Sequence, residues 1–179
     1  NAFKEGDDLC IYTLSDELKE YKNATLQLKV MDFNGKVLSK KTVKGEVPAN
    51  ASAVFHKEVY ADLATHPTNT LLLMTLKDQK GKVLSEEIYY FNHPKDQELP
   101  VAKVSYKVKQ LDGRCEVTLT AKQLARDIFV EIPFQGARFS DNFFDLLPGQ
   151  TKKIVITSDE IKKGEPVELK IRHLTGVVK

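Results

Sequence analysis

The stretch Phe139-Ser-Asp-Asn-Phe-Phe-Asp-Leu-Leu-Pro-Gly-Gln150 decides how this chain folds. It crowds large apolar side chains, two acids and a Pro-Gly pair into a short span. Phe139, Phe143, Phe144, Leu146 and Leu147 supply core or interface bulk, while Asp141-Asn142 and Pro148-Gly149 supply turn chemistry. The combination predicts a corner between two strands. Of the neighbours Phe143 and Phe144, one is expected to point inward and the other outward, as alternate side chains of extended backbone do. A Pro-Gly pair that forms a type II turn places Gly149 at positive φ, which glycine adopts without steric cost.

Outward from this corner the second half reads as short strands and tight turns. Val104, Tyr106 and Val108 alternate with Ser105 and lysines; Asp112-Gly113 marks a hairpin turn; Cys115, Val117 and Leu119 alternate on the return strand. Residues 121–127 read as a one-turn helix feeding a strand over 128–132. Ile154 and Ile156, then Val167, Leu169 and Ile171, complete the pattern. Thr157-Ser-Asp-Glu160 fits a helix capping box closed by Gly164.

The first half contains an echo. Asp32-Phe-Asn-Gly-Lys-Val-Leu-Ser39 recurs as Asp78-Gln-Lys-Gly-Lys-Val-Leu-Ser85. Each copy places a glycine-centred turn after an alternating strand, Leu26, Leu28 and Val30 in one and Leu72, Met74 and Leu76 in the other. Two copies so far apart read as two similar hairpins within one sandwich, not as a solenoid. Further strands are expected over 9–14, 52–60 and 83–91, with helical turns near 15–21 and 61–65. The fold class is therefore all-β: two consecutive immunoglobulin-like β-sandwich domains. Asn92-His-Pro-Lys-Asp-Gln-Glu-Leu-Pro100 breaks the alternation with two prolines and no Gly or Ser, and predicts a stiff linker. The expected division is a domain over 1–93, a linker over 94–100 and a second domain over 101–179.

With 27 Lys+Arg against 25 Asp+Glu, the formal charge of +2 gives no basis for a nucleic-acid or anionic-membrane partner. No apolar run approaches the roughly 18–20 residues of a membrane-spanning helix. No signal peptide opens the sequence, and the start at Asn1-Ala2 reads as a processed chain or a fragment. Cys10 and Cys115 fall at apolar positions of separate predicted domains and read as two inert buried thiols. Asn23-Ala-Thr25 and Asn50-Ala-Ser52 match the glycosylation tripeptide, a pattern common by chance.

The corner stretch resembles, almost letter for letter, a motif in the last immunoglobulin-like domain of the β-mannosidases of glycoside hydrolase family two, which relatives acting on glucosamine share. Two further stretches are similar to the same region of that family. Tyr89-Tyr90-Phe91-Asn-His-Pro-Lys-Asp96 with Leu99-Pro100 resembles the join between the penultimate and last domains. Thr120-Ala-Lys-Gln-Leu-Ala-Arg-Asp-Ile-Phe-Val130 resembles a strand entry in the final domain. The first half resembles the preceding, partly carbohydrate-module-like domain more loosely.

The resemblance implies a retaining exo-β-mannosidase as parent, whose (β/α)8 barrel removes terminal β-linked mannose with two glutamates, one of them in an Asn-Glu pair. Retaining glycosidases hold their two carboxyl groups only about 5–5.5 Å apart. No Asn-Glu dipeptide occurs in this chain, so no catalytic residue is carried onto any position.

The remaining residues give no catalytic, cofactor or metal assignment. Asp141, Asn142 and Asp145 lack the spacing of a calcium loop and read as turn caps. His56, His66, His93 and His173 show no metal-ligand spacing, and no Gly-x-Ser-x-Gly elbow is present. Lys36, Lys40, Lys41 and Lys44, like Lys103, Lys107 and Lys109, read as protection of strand edges. Tyr12, Tyr21, Tyr60, Tyr89, Tyr90 and Tyr106 are the candidates for a weak saccharide contact, in a chain without Trp.

The function expected is thus a non-catalytic C-terminal β-sandwich pair that braces the catalytic barrel of the same parent chain, with no nucleic acid, membrane or cofactor. An autonomous carbohydrate-binding or protein-interaction module is the alternative. An extracytoplasmic compartment is expected by analogy with polysaccharide-degrading relatives.

Overall fold

The computed structural model describes residues 1–178. These form two compact units, one of Asn1–Asp32 with Lys36–Glu98, the other of Phe33–Gly35 with the described residues from Leu99 onward.

The first unit is a sandwich of strands β1 (Ala2–Glu5), β2 (Asp8–Ser15), β3 (Tyr21–Asp32), β4 (Val37–Val47), β5 (Ala51–Val59), β6 (Thr70–Lys77) and β7 (Val83–Tyr90), with one short helix, α1 (Tyr60–Leu63), after β5. One sheet runs β1-β2-β5 and the other β4-β3-β6-β7; every pairing is antiparallel. Leu9 and Ile11 from one sheet pack with Leu26, Leu28, Val30, Leu72 and Met74 from the other. Alternation along each strand delivers these side chains to one face, and their removal from water is the main stabilising term.

The echo is one turn built twice. The Asp32 N–H donates to the Lys36 carbonyl and the Lys36 N–H to Asp32 Oδ1, each at 2.9 Å. Asp78 and Lys82 repeat both bonds at 2.9 Å. Gly35 and Gly81 take φ of 98° and 84°, a region closed to most L side chains.

The strand expected from the alternation of Leu72, Met74 and Leu76, a half-buried pattern, is corrected: β6 is buried on both faces, Leu71 and Leu73 as well as Leu72 and Met74. The difference from β3, equally interior but alternating through Thr25, Gln27 and Lys29, lies in composition: the run Leu71-Leu-Leu-Met74 puts apolar side chains on both faces of β6.

The second unit contains β8 (Val104–Leu111), β9 (Arg114–Ala121), β10 (Ala125–Glu131), β11 (Arg138–Phe139), β12 (Phe144–Leu146), β13 (Thr151–Thr157), β14 (Lys170–His173) and β15 (Gly176–Val178). Its sheets run β11-β13-β9-β8 and β12-β10-β14-β15. Cys115, Val117, Leu119, Ile154 and Ile156 of one sheet meet Ile128, Val130, Phe144, Leu146 and Ile171 of the other. The corner carries the chain between these sheets, since β11 pairs with β13 and β12 with β10. Leu147-Pro148-Gly149-Gln150 closes on a 3.0 Å bond from the Gln150 N–H to the Leu147 carbonyl, with Gly149 at φ 77°, as a type II turn requires.

Three short helices expected from sequence are absent, because their polar groups bond elsewhere. In the first unit, Ser15 Oγ accepts the Glu17 N–H at 3.3 Å and the Glu17 carbonyl accepts from Asn50 N–H at 2.8 Å, leaving bends at 17–19. In the second, the Lys122 N–H donates to the Lys103 carbonyl at 3.0 Å and β10 begins at Ala125. Ser158, rather than Thr157, supplies the hydroxyl at the expected capping box, accepting the Glu160 N–H at 3.2 Å in a turn that the Ile161 N–H closes on the Ser158 carbonyl. Val167 and Leu169 pack on the core but lie ahead of β14. The helical turn expected near 61–65 forms one residue earlier, as α1. The Pro-rich segment winds a short 3-10 turn at Pro94–Asp96.

Candidate functional surface

Phe143 and Phe144 part at the corner. Phe144 is 8% exposed in the second core, whereas Phe143 is 68% exposed. The separation is enforced by Asn142. Its Oδ1 accepts the Val130 N–H at 2.9 Å and its Nδ2 donates to the Val130 carbonyl at 3.0 Å, clamping the loop to β10. With Asn142 pinned on one side and Phe144 buried on the other, Phe143 turns outward at φ 57°. For a bulky L residue this left-handed conformation costs on the order of 1 kcal/mol or more. The Phe143 ring stacks on Phe129 with centroids 4.5 Å apart and planes 19° from parallel.

Phe129 faces Arg172 across β10–β14, and Arg172 faces Val177 across β14–β15. Phe143, Phe129, Arg172 and Val177 therefore make a row across one outer sheet face, ending in Val177 at 63% exposure. Charges around the row are engaged with one another. Arg172 pairs with Glu131 at 3.0 Å, Arg126 lies 3.6 Å from Asp145, and Lys152 pairs with Asp141. Asp145 also accepts the Asp127 N–H at 2.9 Å. The acids of the corner are thus structural. Among the described residues no group of three or more His, Cys, Asp or Glu side chains is placed to hold a metal.

The first unit presents a different outer face. Phe3 and Tyr12 meet edge-on at 6.0 Å, and the Tyr12 hydroxyl donates to Glu5 at 2.7 Å. That bond holds the Glu5 carboxyl below its ordinary range. A cleft of about 190 Å³ opens between the sheets of this unit, lined by Ile11, Tyr12, Thr13, Phe55, Met74 and Glu87 among others. Glu87 sits opposite Met74 on edge strand β7, where an inward carboxylate discourages further strand pairing.

Of the histidines, His56 shares Glu58 with Lys41, at 2.8 and 2.7 Å; the Lys41 bond is the main cause of the low Glu58 pKa. His173 is buried beside Thr175, and burial lowers its pKa. In the Tyr89-Tyr90-Phe91 run, Phe91 is buried and meets Tyr60 and Tyr89 edge-on, so Tyr89 and Phe91 serve the first core. Cys10 and Cys115 are free thiols, both buried. The aromatic row was not legible as a site beforehand. Its one sequence signal is the phase of β10, which places Phe129 outward between core residues Ile128 and Val130.

A family model described as a mannosidase Ig/CBM-like domain matches residues 7–96, and one described as an Ig-fold domain of mannosidases matches residues 99–177. No curated protein matches the sequence. Among solved structures, the β-D-mannosidase of Dictyoglomus thermophilum superposes over 100% of this chain with a TM-score of 0.75 and 23% identity. The exo-chitosanase of Amycolatopsis orientalis covers 95% of the chain with a TM-score of 0.59 and 17% identity. The chain spans only 21% and 24% of those two proteins. It belongs to the family of mannosidase immunoglobulin-like domains.

Proposed function

We propose that this chain is the non-catalytic β-sandwich region of a β-mannosidase-like glycoside hydrolase of family two, and that it braces a (β/α)8 catalytic barrel in the same parent protein. The observation that carries this reading is the succession of the two family matches, over 7–96 and 99–177, in a chain that spans a fifth to a quarter of its solved relatives. In the parent the barrel would remove terminal β-linked mannose, and the sandwiches would hold its frame. An extracytoplasmic compartment suits a polysaccharide-degrading parent.

The test has two parts. The purified chain should not hydrolyse 4-nitrophenyl β-D-mannopyranoside, since retaining hydrolysis needs two carboxyl groups about 5–5.5 Å apart flanking a bound sugar. Turnover that follows the chain through purification would defeat the reading. So would a coding sequence with no barrel beside these sandwiches.

A second reading, an autonomous carbohydrate-binding module, draws on the exposed rings of Phe3 and Phe143. Saturable heat on titration with mannose or manno-oligosaccharides would favour it over the first.

A further inference from the structure

The Phe143–Phe129–Arg172–Val177 row departs from what an idle sheet surface needs. Phe143 occupies a backbone conformation that glycine or asparagine adopts with less strain. Burial does not account for it, because Phe144 fills the core place and Phe143 stays open to solvent. Its position is over-determined: the Asn142 clamp, the Phe129 stack and the buried Phe144 all direct the ring outward. Strain maintained in this way is characteristic of binding surfaces. Stacked aromatics and an arginine in one line also match the composition of protein-interface anchors.

The chemistry of the surroundings selects the class of occupant. Glu131 pairs with Arg172 and faces Lys170 across β10–β14, so acid and base alternate beside the row and build no one-signed patch to attract a polyanion or an anionic bilayer. Phe129 covers one side of the Phe143 ring, and the neighbouring Arg172 and Glu131 are engaged with each other rather than set out to bond sugar hydroxyls. A folded protein surface fits best. The solved relatives carry roughly four-fifths and three-quarters of their length outside the matching region, as their 21% and 24% coverage implies.

We infer that this row docks the second sandwich onto the catalytic barrel of the parent chain, with Phe143 as the anchor. The inference rests on the proposed function.

Hydrogen exchange of the full parent enzyme, set against the 179-residue chain, tests it. The backbone amides of 128–131 and 170–177 should exchange more slowly in the parent. Phe143→Asn, which tolerates positive φ, should remove about tenfold or more of that added protection. The same substitution should leave exchange in the 179-residue chain unchanged or slightly slower, which separates docking from folding. Equal protection of these amides in parent and chain would overturn the inference, as would added protection that Phe143→Asn leaves intact. Either result would leave the proposed function standing. A coding sequence without a barrel removes the proposed function and this inference together.

Discussion

Each sandwich carries an aromatic pair on an outer sheet face, and the two pairs are built on opposite terms. In the first unit Phe3 and Tyr12 lie on paired strands, Tyr12 beside a register shift in β2 but neither at positive φ, meet edge-on at 6.0 Å and settle their polar end internally through Tyr12 and Glu5. In the second, Phe143 and Phe129 have no polar atom in their rings, stack at 4.5 Å, and one of them is held at φ 57°. The first pair is complete on its own sheet. The second is held in place by packing that favours the loop as a whole while straining Phe143 itself. Exposed aromatics of similar area can therefore be self-sufficient or poised for a partner, and the backbone beneath them distinguishes the cases.

Three substitutions sharpen or break this contrast. The largest effect belongs to Phe144→Ala. It empties a core position of the second sandwich and should cost roughly 3–5 kcal/mol in urea unfolding, the usual range for a buried Phe. A loss below about 1 kcal/mol would mean that the corner does not anchor the core.

Asn142→Ala comes next. It strips the clamp from both backbone groups of Val130 and should cost about 1–3 kcal/mol, the price of leaving part-buried partners unpaired. It should also let Phe143 relax, so that its ring signals shift away from those of Phe129 in NMR spectra. Unmoved ring signals would show that the stack, not the clamp, sets the φ of Phe143.

The smallest effect is expected in the first unit. Tyr12→Phe deletes the hydroxyl that stabilises the ionised Glu5 carboxylate, so the Glu5 pKa should rise toward its ordinary value in an NMR titration. The face should otherwise keep its structure. An unshifted Glu5 would mean that the pair is held by ring contact alone.

Local chemistry made much of this fold legible in advance. The Asp-x-x-Gly-Lys turns could be read because the bonds that Asp32 and Asp78 make to close them reach no further than four residues. The corner could be read because Pro148-Gly149 and the paired phenylalanines each restrict the backbone locally. The expected helices failed where a distant loop claimed their backbone groups, as Asn50 claims the Glu17 carbonyl. The row on the second sheet failed to show for a related reason. Phe129 and Arg172 meet only through the pairing of β10 with β14, and the Asn142 clamp spans twelve positions. No window of sequence holds both ends of such contacts.

The two thiols give the molecule a pair of native reporters. Cys10 lies outside the first core cluster, between Phe3 on β1 and Lys57 on β5 in the ladder, while Cys115 belongs to the second core. Burial is the main cause that raises both pKa values, so a maleimide reacts only after a local opening. Cys115 is uncovered when the second sandwich comes apart. Cys10 needs only the peeling of the four-residue strand β1. Their labelling rates thus place two different motions on separate clocks, the fraying of an edge and the loss of a whole fold, without any engineered probe.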